Sequence, residues 1–161
     1  MTMRHDIVPV ETADSIALSD LALRSKAHWG YDAVFLEACR AELAITPTRI
    51  ANEEIWKAVD DSGRLLGFYA LDIENGDGEI MDVFVEPSAI GDGVGRALFD
   101  HMFERAKTLG CRTLFVDADP NAEGYYKRMG FVPCGRSPSG SIPGRVLPRL
   151  RLPLNADAES R

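Results

Sequence analysis

An apolar strand pattern, a glycine-rich loop and the start of a helix follow one another in residues 83–96. The segment reads Val-Phe-Val-Glu-Pro-Ser-Ala-Ile-Gly-Asp-Gly-Val-Gly-Arg. Amide groups at the start of a helix have no acceptor within the helix and lie at the positive end of its dipole, so they attract phosphate. Glycine lets a ligand approach the backbone because it has no Cβ. The segment therefore predicts a strand that leads through a phosphate-binding loop into a helix.

The glycines of this loop allow two other interpretations. A dinucleotide-binding loop has glycines at its first, third and sixth places; Gly91 and Gly93 fit the first and third, but Arg96 occupies the sixth. A P-loop is not indicated, because Gly-Lys-Ser and Gly-Lys-Thr are absent from the sequence. A nicotinamide dinucleotide site and a tight turn without any ligand stay as alternatives.

The rest of the chain predicts a mixed α/β fold. A strand, a loop, a helix and a second strand in succession require one parallel pair, while the turn sequences at residues 61–64 and 75–78 predict antiparallel hairpins. Pro47 is expected to end the first helical region, and Pro148 to place its strand at an edge or a bulge. The predicted order is β-α-α-β-β-β-α-β-α-β-β: a strand at 7–10, two helices within 13–44 separated by a loop near 25–32, strands at 55–60, 65–73 and 79–85, a helix at 93–109, a strand at 112–117, a short helix at 119–129, and strands at 131–136 and 145–152. We expect one domain over residues 1–154 and a frayed tail over 155–161.

A second motif lies one strand beyond the glycine loop. Residues 119–131 read Asp-Pro-Asn-Ala-Glu-Gly-Tyr-Tyr-Lys-Arg-Met-Gly-Phe. Asp119 before Pro120 is typical of a helix start, with the acid as N-cap and proline in the first turn. Together with Gly93-Val94-Gly95, this segment resembles the GNAT superfamily of acyl-CoA-dependent N-acyltransferases in residue type, order and spacing. The likeness extends to the element order over roughly residues 5–152.

The resemblance implies a fold that is mostly antiparallel with a central parallel pair, and acetyl-CoA as co-substrate with no metal. The glycine loop would bind the pyrophosphate, and the strand before it would pair with the pantetheine arm. Asn121 would hold the cofactor near the end of that arm, and the loop between the first two helices would shape the acceptor pocket. The cofactor residues would be Val83, Phe84, Val85, Gly91, Asp92, Gly93, Val94, Gly95, Arg96 and Asn121, and the acceptor residues His28, Trp29 and Tyr31. Because an acid repels a pyrophosphate, Asp92 is expected to point outward or to pair with a base such as Arg96.

Two further residues would carry the chemistry by the same resemblance. An alkyl ammonium has a pKa near 10.4, so its deprotonation at pH 7 costs roughly 4.6 kcal/mol. Glu79, at the start of the fourth strand, would take that proton, although an exposed acid after a turn is the other interpretation. Tyr126 would donate a hydrogen bond to the departing thiolate; proton transfer from a phenol to a thiolate is uphill by roughly 2 kcal/mol, so we expect it late. Packing of its ring on the sheet is the alternative.

The family usually has Gln or Arg where this chain has Ile90. That departure keeps a second function open, a domain that binds or senses acyl-CoA without turnover. The predicted function is N-acetyltransferase, moving an acetyl or short acyl group to an amine.

Charge and cysteine content limit the partners. The chain has 161 residues and a net charge of −7, although residues 124–156 contain six Lys and Arg and no acid. An acidic body argues against nucleic-acid binding, while the basic quarter suits one anionic ligand or a solvated surface. No uncharged stretch approaches the ~20 apolar residues of a membrane span, and no secretory signal is indicated near Arg4. Three cysteines at unrelated spacings indicate reduced thiols and a cytoplasmic protein. The acceptor would be a small-molecule or peptide amine, and the sequence leaves a homodimer open.

Overall fold

The two predicted hairpin turns join consecutive strands of one sheet in the computed structural model, which describes residues 5–154. Each strand of the sheet lies within about two residues of its predicted bounds. The strands are β1 (His5–Pro9), β2 (Glu54–Asp60), β3 (Leu65–Glu74), β4 (Asp77–Val85), β5 (Thr113–Asp117), β6 (Val132–Pro138) and β7 (Val146–Pro153). The predicted tail at 155–161 lies outside the described residues, and the domain boundary at residue 154 stays a prediction.

The helices follow the predicted order with one addition. They are α1 (Ser15–His28), α2 (Ala33–Leu43), α3 (Pro47–Asn52), α4 (Val94–Thr108) and α5 (Glu123–Arg128). The prediction that Pro47 ends the helical region was wrong, because Pro47 is the first residue of α3. Proline is well suited to that place, since the first helical N–H needs no partner within the helix. Thr46 completes the helix start by accepting a hydrogen bond from the Arg49 amide at 3.1 Å.

The sheet is mixed, as predicted, with the strand order β1-β2-β3-β4-β5-β7-β6. Among the described strands, only β4 and β5 run parallel, and all other neighbours are antiparallel. The expectation of an edge or a bulge at Pro148 was wrong for the edge, because β7 lies between β5 and β6, whereas the β6–β7 register does shift beside it, between Pro133 and Gly135. The Pro148 carbonyl accepts a hydrogen bond from the Ala118 amide just beyond the last residue of β5. Because Pro148 has no N–H, this pair, which lies just beyond β5, keeps one of the two bonds that such a pair can exchange.

The parallel strands are paired over only part of their length. Residues 77–80 of β4 pair with residues 113–116 of β5, and the rest of β4 has no partner on that side among the described strands. A register shift against β3 between Ala70 and Leu71 leaves Met81 as an extra residue in β4. A bulge of this kind bends its strand and increases the local twist. The two strands therefore diverge toward their carboxyl ends and leave a wedge between them, which we call the β4–β5 wedge.

A separate apolar core covers each face of the sheet. Helices α4 and α5 pack on one face, where Leu98, Met102 and Tyr126 are buried against Leu114. Helices α1 and α2 pack on the other face, where Leu18 and Leu21 are buried against Phe68. Because both faces are covered, the wedge is the place where a ligand can reach the middle of the sheet.

Candidate active site

The glycine loop lies at the open end of the wedge. Gly91 and Gly93 have φ angles of +93° and +84°, a left-handed conformation that favours glycine. Gly93 is the N-cap of α4, and within residues 5–154 no amide from Gly93 to Arg96 has a backbone acceptor; the first to find one is that of Ala97, which donates to the Gly93 carbonyl at 3.1 Å. These free amides at the positive end of a 15-residue helix suit an anionic phosphate.

The two charged side chains of this loop leave its amides accessible. Asp92 is exposed and forms no ion pair with any described residue. Arg96 pairs with Asp100, one helical turn further, at 3.1 Å. The expectation that Asp92 points outward therefore agrees with its position, while Arg96 does not serve as its partner.

The exposed backbone edge of β4 follows the loop into the wedge. Val83, Phe84 and Val85 pair with β3 on one side, and face the wedge on the other. Their outward N–H and C=O groups can pair with an extended amide-containing chain, as an added strand would. Gly67 allows β3 to pair closely with this part of β4, since a Cβ there would lie 2.7 Å from the Phe84 carbonyl oxygen.

A cavity of about 710 Å³ lies where the wedge meets α1, α2 and the β6–β7 loop. Eight of the site residues predicted from the sequence line it: His28, Trp29, Glu79, Val83, Phe84, Val85, Gly95 and Tyr126. Others do not line it: Tyr31, Gly91, Asp92, Gly93, Val94, Arg96 and Asn121. The loop residues of this second group lie at the outer end of the wedge, where a phosphate would remain near solvent. His28 is the last residue of α1, so it ends a helix instead of lying in the loop that follows.

Tyr126 reaches the cavity from α5. Its ring packs edge-on against Phe99 and Phe131, and only 7% of the residue is exposed. Burial raises the pKa of the phenol, and the nearby Tyr125 and Asp82 add to that effect. The hydroxyl has no hydrogen-bond partner among the described residues. It is therefore a neutral donor, free to bond an atom placed in the cavity.

Glu79 lies in the cavity wall and is held by a cation. Arg149 of β7 donates to both of its carboxylate oxygens at 2.9 Å, and also to Asp117 at 2.8 Å. Hydrogen bonds and charge from Glu79 and Asp117 raise the pKa of the Arg149 guanidinium. Arg149 and Arg145 belong to the basic quarter of the sequence, and both are paired with acids in this wall.

Asp82 is a buried acid in the cavity that the sequence analysis did not identify. It is 8% exposed, and one of its oxygens accepts from Arg49 at 2.5 Å. Burial raises its pKa to about 6, although Arg49 opposes the shift. Glu53 binds the same guanidinium at 2.8 Å. An acid inside the apolar run Ile-Met-Asp-Val-Phe-Val was the available signal, because an unpaired charge is costly within a strand that is covered on both faces.

A polar network joins the acceptor side of the cavity to the second motif. Asp119 accepts from Lys26 at 2.6 Å and from the Tyr31 hydroxyl at 3.0 Å. That hydroxyl in turn accepts from the Asn121 amide at 3.0 Å and from Arg145 at 2.9 Å. Asp119 also accepts from the Asn121 backbone N–H, which confirms its predicted N-cap role. The network connects α1, the α1–α2 loop, the residues after β5 and the β6–β7 loop.

Within residues 5–154, no group of three or more His, Cys, Asp or Glu side chains is arranged to hold a metal ion. In the same range, no helix is both long and apolar enough to cross a membrane. The chemistry available in the cavity is that of Tyr126, the carboxylates and their cations.

Comparison with known proteins agrees with this geometry. The Acetyltransferase (GNAT) family matches residues 20–131. Peptidyl-lysine N-acetyltransferase YjaB from Salmonella typhimurium is 34% identical over 117 residues, covering 71% of this chain and 75% of that protein. A glucosamine 6-phosphate N-acetyltransferase from Trypanosoma brucei brucei is 31% identical over 77 residues, covering 44% of this chain and 52% of that protein.

Two solved structures with coenzyme A have the same fold. The PaiA N-acetyltransferase from Thermoplasma acidophilum, in complex with coenzyme A, has a TM-score of 0.79 at 18% identity and covers 94% of this chain and 99% of that one. N-acetylglutamate synthase from Neisseria gonorrhoeae, complexed with coenzyme A and N-acetyl-glutamate, has a TM-score of 0.68 at 21% identity and covers 96% of this chain and 36% of that one.

The family match includes both the glycine loop and the Tyr126 segment, on the elements where the resemblance places them. The sheet does not support the nicotinamide alternative. Dinucleotide-binding folds have a mostly parallel sheet, whereas the glycine loop here follows β4, which is antiparallel to β3 and parallel to β5 alone among the described strands. The chain belongs to the GNAT family and is an acetyl-CoA-dependent N-acetyltransferase.

Proposed function

We propose that the acceptor is a lysine side chain of a peptide or protein. The more extensive of the two relatives compared above is named a peptidyl-lysine N-acetyltransferase, while the sugar-phosphate enzyme matches less than half of this chain. The acceptor side is bordered by Trp29, which is 52% exposed, and by His28. An open mouth with an aromatic border suits a side chain presented by a larger molecule better than a fully enclosed small one.

The β4–β5 wedge is the observation that best supports a binding site for the acyl donor. It runs from the free amides of residues 93–96, along the exposed edge of β4, to the hydroxyl of Tyr126. A pyrophosphate, an amide-containing arm and a thioester occur in that order in acetyl-CoA. We place the pyrophosphate on the loop, the arm against Val83–Val85, and the thioester near Tyr126. The contact between Asn121 and the cofactor stays a prediction. In the structure, the Asn121 side-chain amide donates a hydrogen bond to the Tyr31 hydroxyl.

The reaction exchanges a carbon–sulfur bond for a carbon–nitrogen bond. Acetyl-CoA supplies the acetyl group as a thioester. One carboxylate of the cavity accepts the proton that the acceptor ammonium must lose, and releases it to solvent. Tyr126 donates a hydrogen bond to the sulfur as negative charge develops there, an interaction that is stronger in the transition state than in the ground state. The second proton lost by the nitrogen balances the one gained by the thiolate, so each turnover releases one proton.

Geometry favours Asp82 over Glu79 as the proton acceptor. Both oxygens of Glu79 accept from Arg149, so protonation would remove the negative charge from a bidentate charged pair and weaken it. Asp82 uses one oxygen for Arg49, and its other oxygen has no partner among residues 5–154. Its raised pKa brings it closer to that of an ammonium than an ordinary aspartate. The predicted role of Glu79 becomes, in this proposal, the placing of Arg149 in the wall.

The sequence alone kept a non-catalytic acyl-CoA-binding domain open. Ile90 is 54% exposed and lines the cavity. Because its side chain is apolar, it gives a bound cofactor no charged or amide donor at this position. The free hydroxyl of Tyr126 has no role in a domain that only binds, which favours the enzyme.

The three cysteines support a proposal about the cellular compartment of the protein. Cys39 and Cys111 are buried and Cys134 is exposed, and all three are free cysteines. Free thiols favour a reducing compartment, so we propose the cytoplasm. The homodimer stays a prediction.

Calorimetry and a thiol-release assay test these proposals together. We expect acetyl-CoA to bind at micromolar concentration, and a capped lysine peptide to release free thiol faster than glucosamine 6-phosphate does. Tight binding with no thiol release from any amine would favour the sensing domain. Binding of NAD without binding of acetyl-CoA would overturn the donor site itself.

A further inference from the structure

Every Lys and Arg side chain that lines the cavity is already paired with an acid. The four are Lys26 with Asp119, Arg49 with Asp82 and Glu53, Arg145 with Asp119, and Arg149 with Glu79 and Asp117. A phosphate or carboxylate on an acceptor would therefore have to share a cation with a carboxylate that already lies beside it and repels it. Because the positive charge of each cation is already balanced in this way, the cavity gives an anionic acceptor little net attraction.

Glu42 is the cavity carboxylate for which the described residues supply no cation. It lies in the last turn of α2, and among residues 5–154 no Lys or Arg nitrogen lies within 4 Å of it. Its side-chain partner is Ser141, whose hydroxyl donates to it at 3.1 Å. A negative charge at the carboxyl end of a helix is also opposed by the helix dipole. The charge of Glu42 is therefore balanced by solvent and is available to a cation that enters the cavity.

The β6–β7 loop contacts this carboxylate through Gly140 and Ser141. Gly140 lies directly against a Glu42 carboxylate oxygen, and a side chain at that position would make the exposed Glu42 side chain move aside. Glu42 is exposed, whereas Asp82 lies on the floor of the same cavity, near enough for the charge of Glu42 to raise its pKa. The two acids thus occupy the mouth and the floor of the acceptor side.

We propose that Glu42 binds a second positive charge on the acceptor, a few bonds away from the amine that reacts at the floor. The substrate class is then a lysine flanked by basic residues, and acceptors that carry phosphate or carboxylate beside the amine are disfavoured. This inference rests on the proposed function, because it assumes that an amine enters the cavity opposite the thioester. Glu42 acts as a specificity residue and takes no part in proton transfer.

Three capped peptides test the inference, with Arg-Lys-Arg, Gln-Lys-Gln and Glu-Lys-Glu at their centres. For the unsubstituted enzyme we expect kcat/KM to fall in that order. Glu42→Gln should lower kcat/KM for the Arg-flanked peptide about fivefold, the effect of losing one exposed ion pair, and leave the Gln-flanked peptide within about twofold. Glu42→Lys should reverse the order. The preference should also shrink at high salt, since exposed charges are screened.

A matched control lies on the same helix. Glu37 is exposed and pairs with Arg40 at 3.1 Å, outside the cavity. Glu37→Gln should keep the order and the rates of the unsubstituted enzyme. Thermal melting and the KM for acetyl-CoA should be unchanged in both glutamine variants, because the amide oxygen introduced by Glu42→Gln can still accept from Ser141. The same comparison between cadaverine and aminopentanol repeats the test on small amines.

The outcomes separate the two proposals. If Glu42→Gln keeps the preference for the Arg-flanked peptide and for cadaverine, Glu42 is not the specificity residue. If it lowers kcat/KM equally for all acceptors, its role is structural and the inference is wrong. If no amine is acetylated although acetyl-CoA binds, the proposed function fails and the inference fails with it.

Discussion

Replacing Tyr126 with phenylalanine removes the hydroxyl that we place beside the departing sulfur, and keeps the ring. The ring centroid lies 5.7 Å from that of Phe99 and 5.2 Å from that of Phe131, and these contacts do not involve the hydroxyl. Because the hydroxyl has no hydrogen-bond partner among residues 5–154, its loss breaks no bond in the folded protein. The free energy of unfolding should therefore change by less than about 1 kcal/mol.

The effect on the rate should be much larger. A hydrogen bond to a developing thiolate exists only as the sulfur departs, so kcat should fall about 100-fold, which corresponds to about 2.7 kcal/mol of transition-state stabilisation. The KM for acetyl-CoA should change little, because the thioester in the ground state carries no charge for the hydroxyl to bind. Free-thiol release at saturating amine measures kcat. An acyl donor with a more acidic thiol should reduce the loss, since such a thiolate departs without help.

Tyr69→Phe is the matched control. Tyr69 is buried on the sheet and forms a hydrogen bond with His101 at 2.9 Å, away from the cavity. That variant should melt at a lower temperature and keep its kcat. If Tyr126→Phe keeps full kcat, with chemistry shown to be rate-limiting, then Tyr126 only packs and the thiolate takes its proton from water.

Three other predictions concern Asp82, Gly95 and Asp119. The kcat/KM for the acceptor should rise with pH through about 6 as Asp82 loses its proton; Asp82→Asn should remove that rise and Glu79→Gln should keep it, and the reverse result would restore Glu79 as the base. Gly95→Val should raise the KM for acetyl-CoA about tenfold by hindering an amide–phosphate bond. It should still fold, because its Cβ would lie 3.6 Å from the nearest atom, the Tyr125 oxygen; an unchanged KM would exclude this part of the loop from the site. Burial opposes ionisation of Asp119, but hydrogen bonds from Lys26 and its other donors outweigh it and lower its pKa, so its stabilising effect is present above about pH 4 and is lost below. Asp119→Asn should therefore lower the melting temperature at pH 7 and differ less from the unsubstituted protein at pH 3; an equal difference at both pH values would contradict the charge-based explanation.

Local sequence chemistry was enough to predict the elements around both motifs. Asp119 caps the turn that follows it, and residues 61–64 and 75–76 form the hairpin turns, so the second turn is two residues shorter than predicted. These features depend on neighbours within a few residues, so a pattern along the chain contains them. The start of α3 at Pro47 shows the limit of such reasoning, since proline is equally suited to follow one helix and to begin the next.

The candidate site was predictable where it is made of backbone. The glycine loop needs free amides before a helix, and the order of residues 91–96 is sufficient to predict them. Tyr126 was predicted from its motif, and its place in the cavity follows from the short helix that carries it.

Only the tertiary structure decided which charges meet. Arg149 is 70 residues from Glu79, Arg49 is 33 residues from Asp82, and Tyr31 is 88 residues from Asp119. Periodicity and spacing describe neighbours on one element and contain no record of contacts between distant elements. The order of residues along the chain was therefore enough to predict the family, the mixed sheet and the loop of free amides before α4. The fold decided that Glu79 is bound on both oxygens, that Asp82 is buried with one oxygen free, and that Glu42 has no cation among the described residues, because the cost and the partner of a charge depend on the three-dimensional surroundings into which it folds.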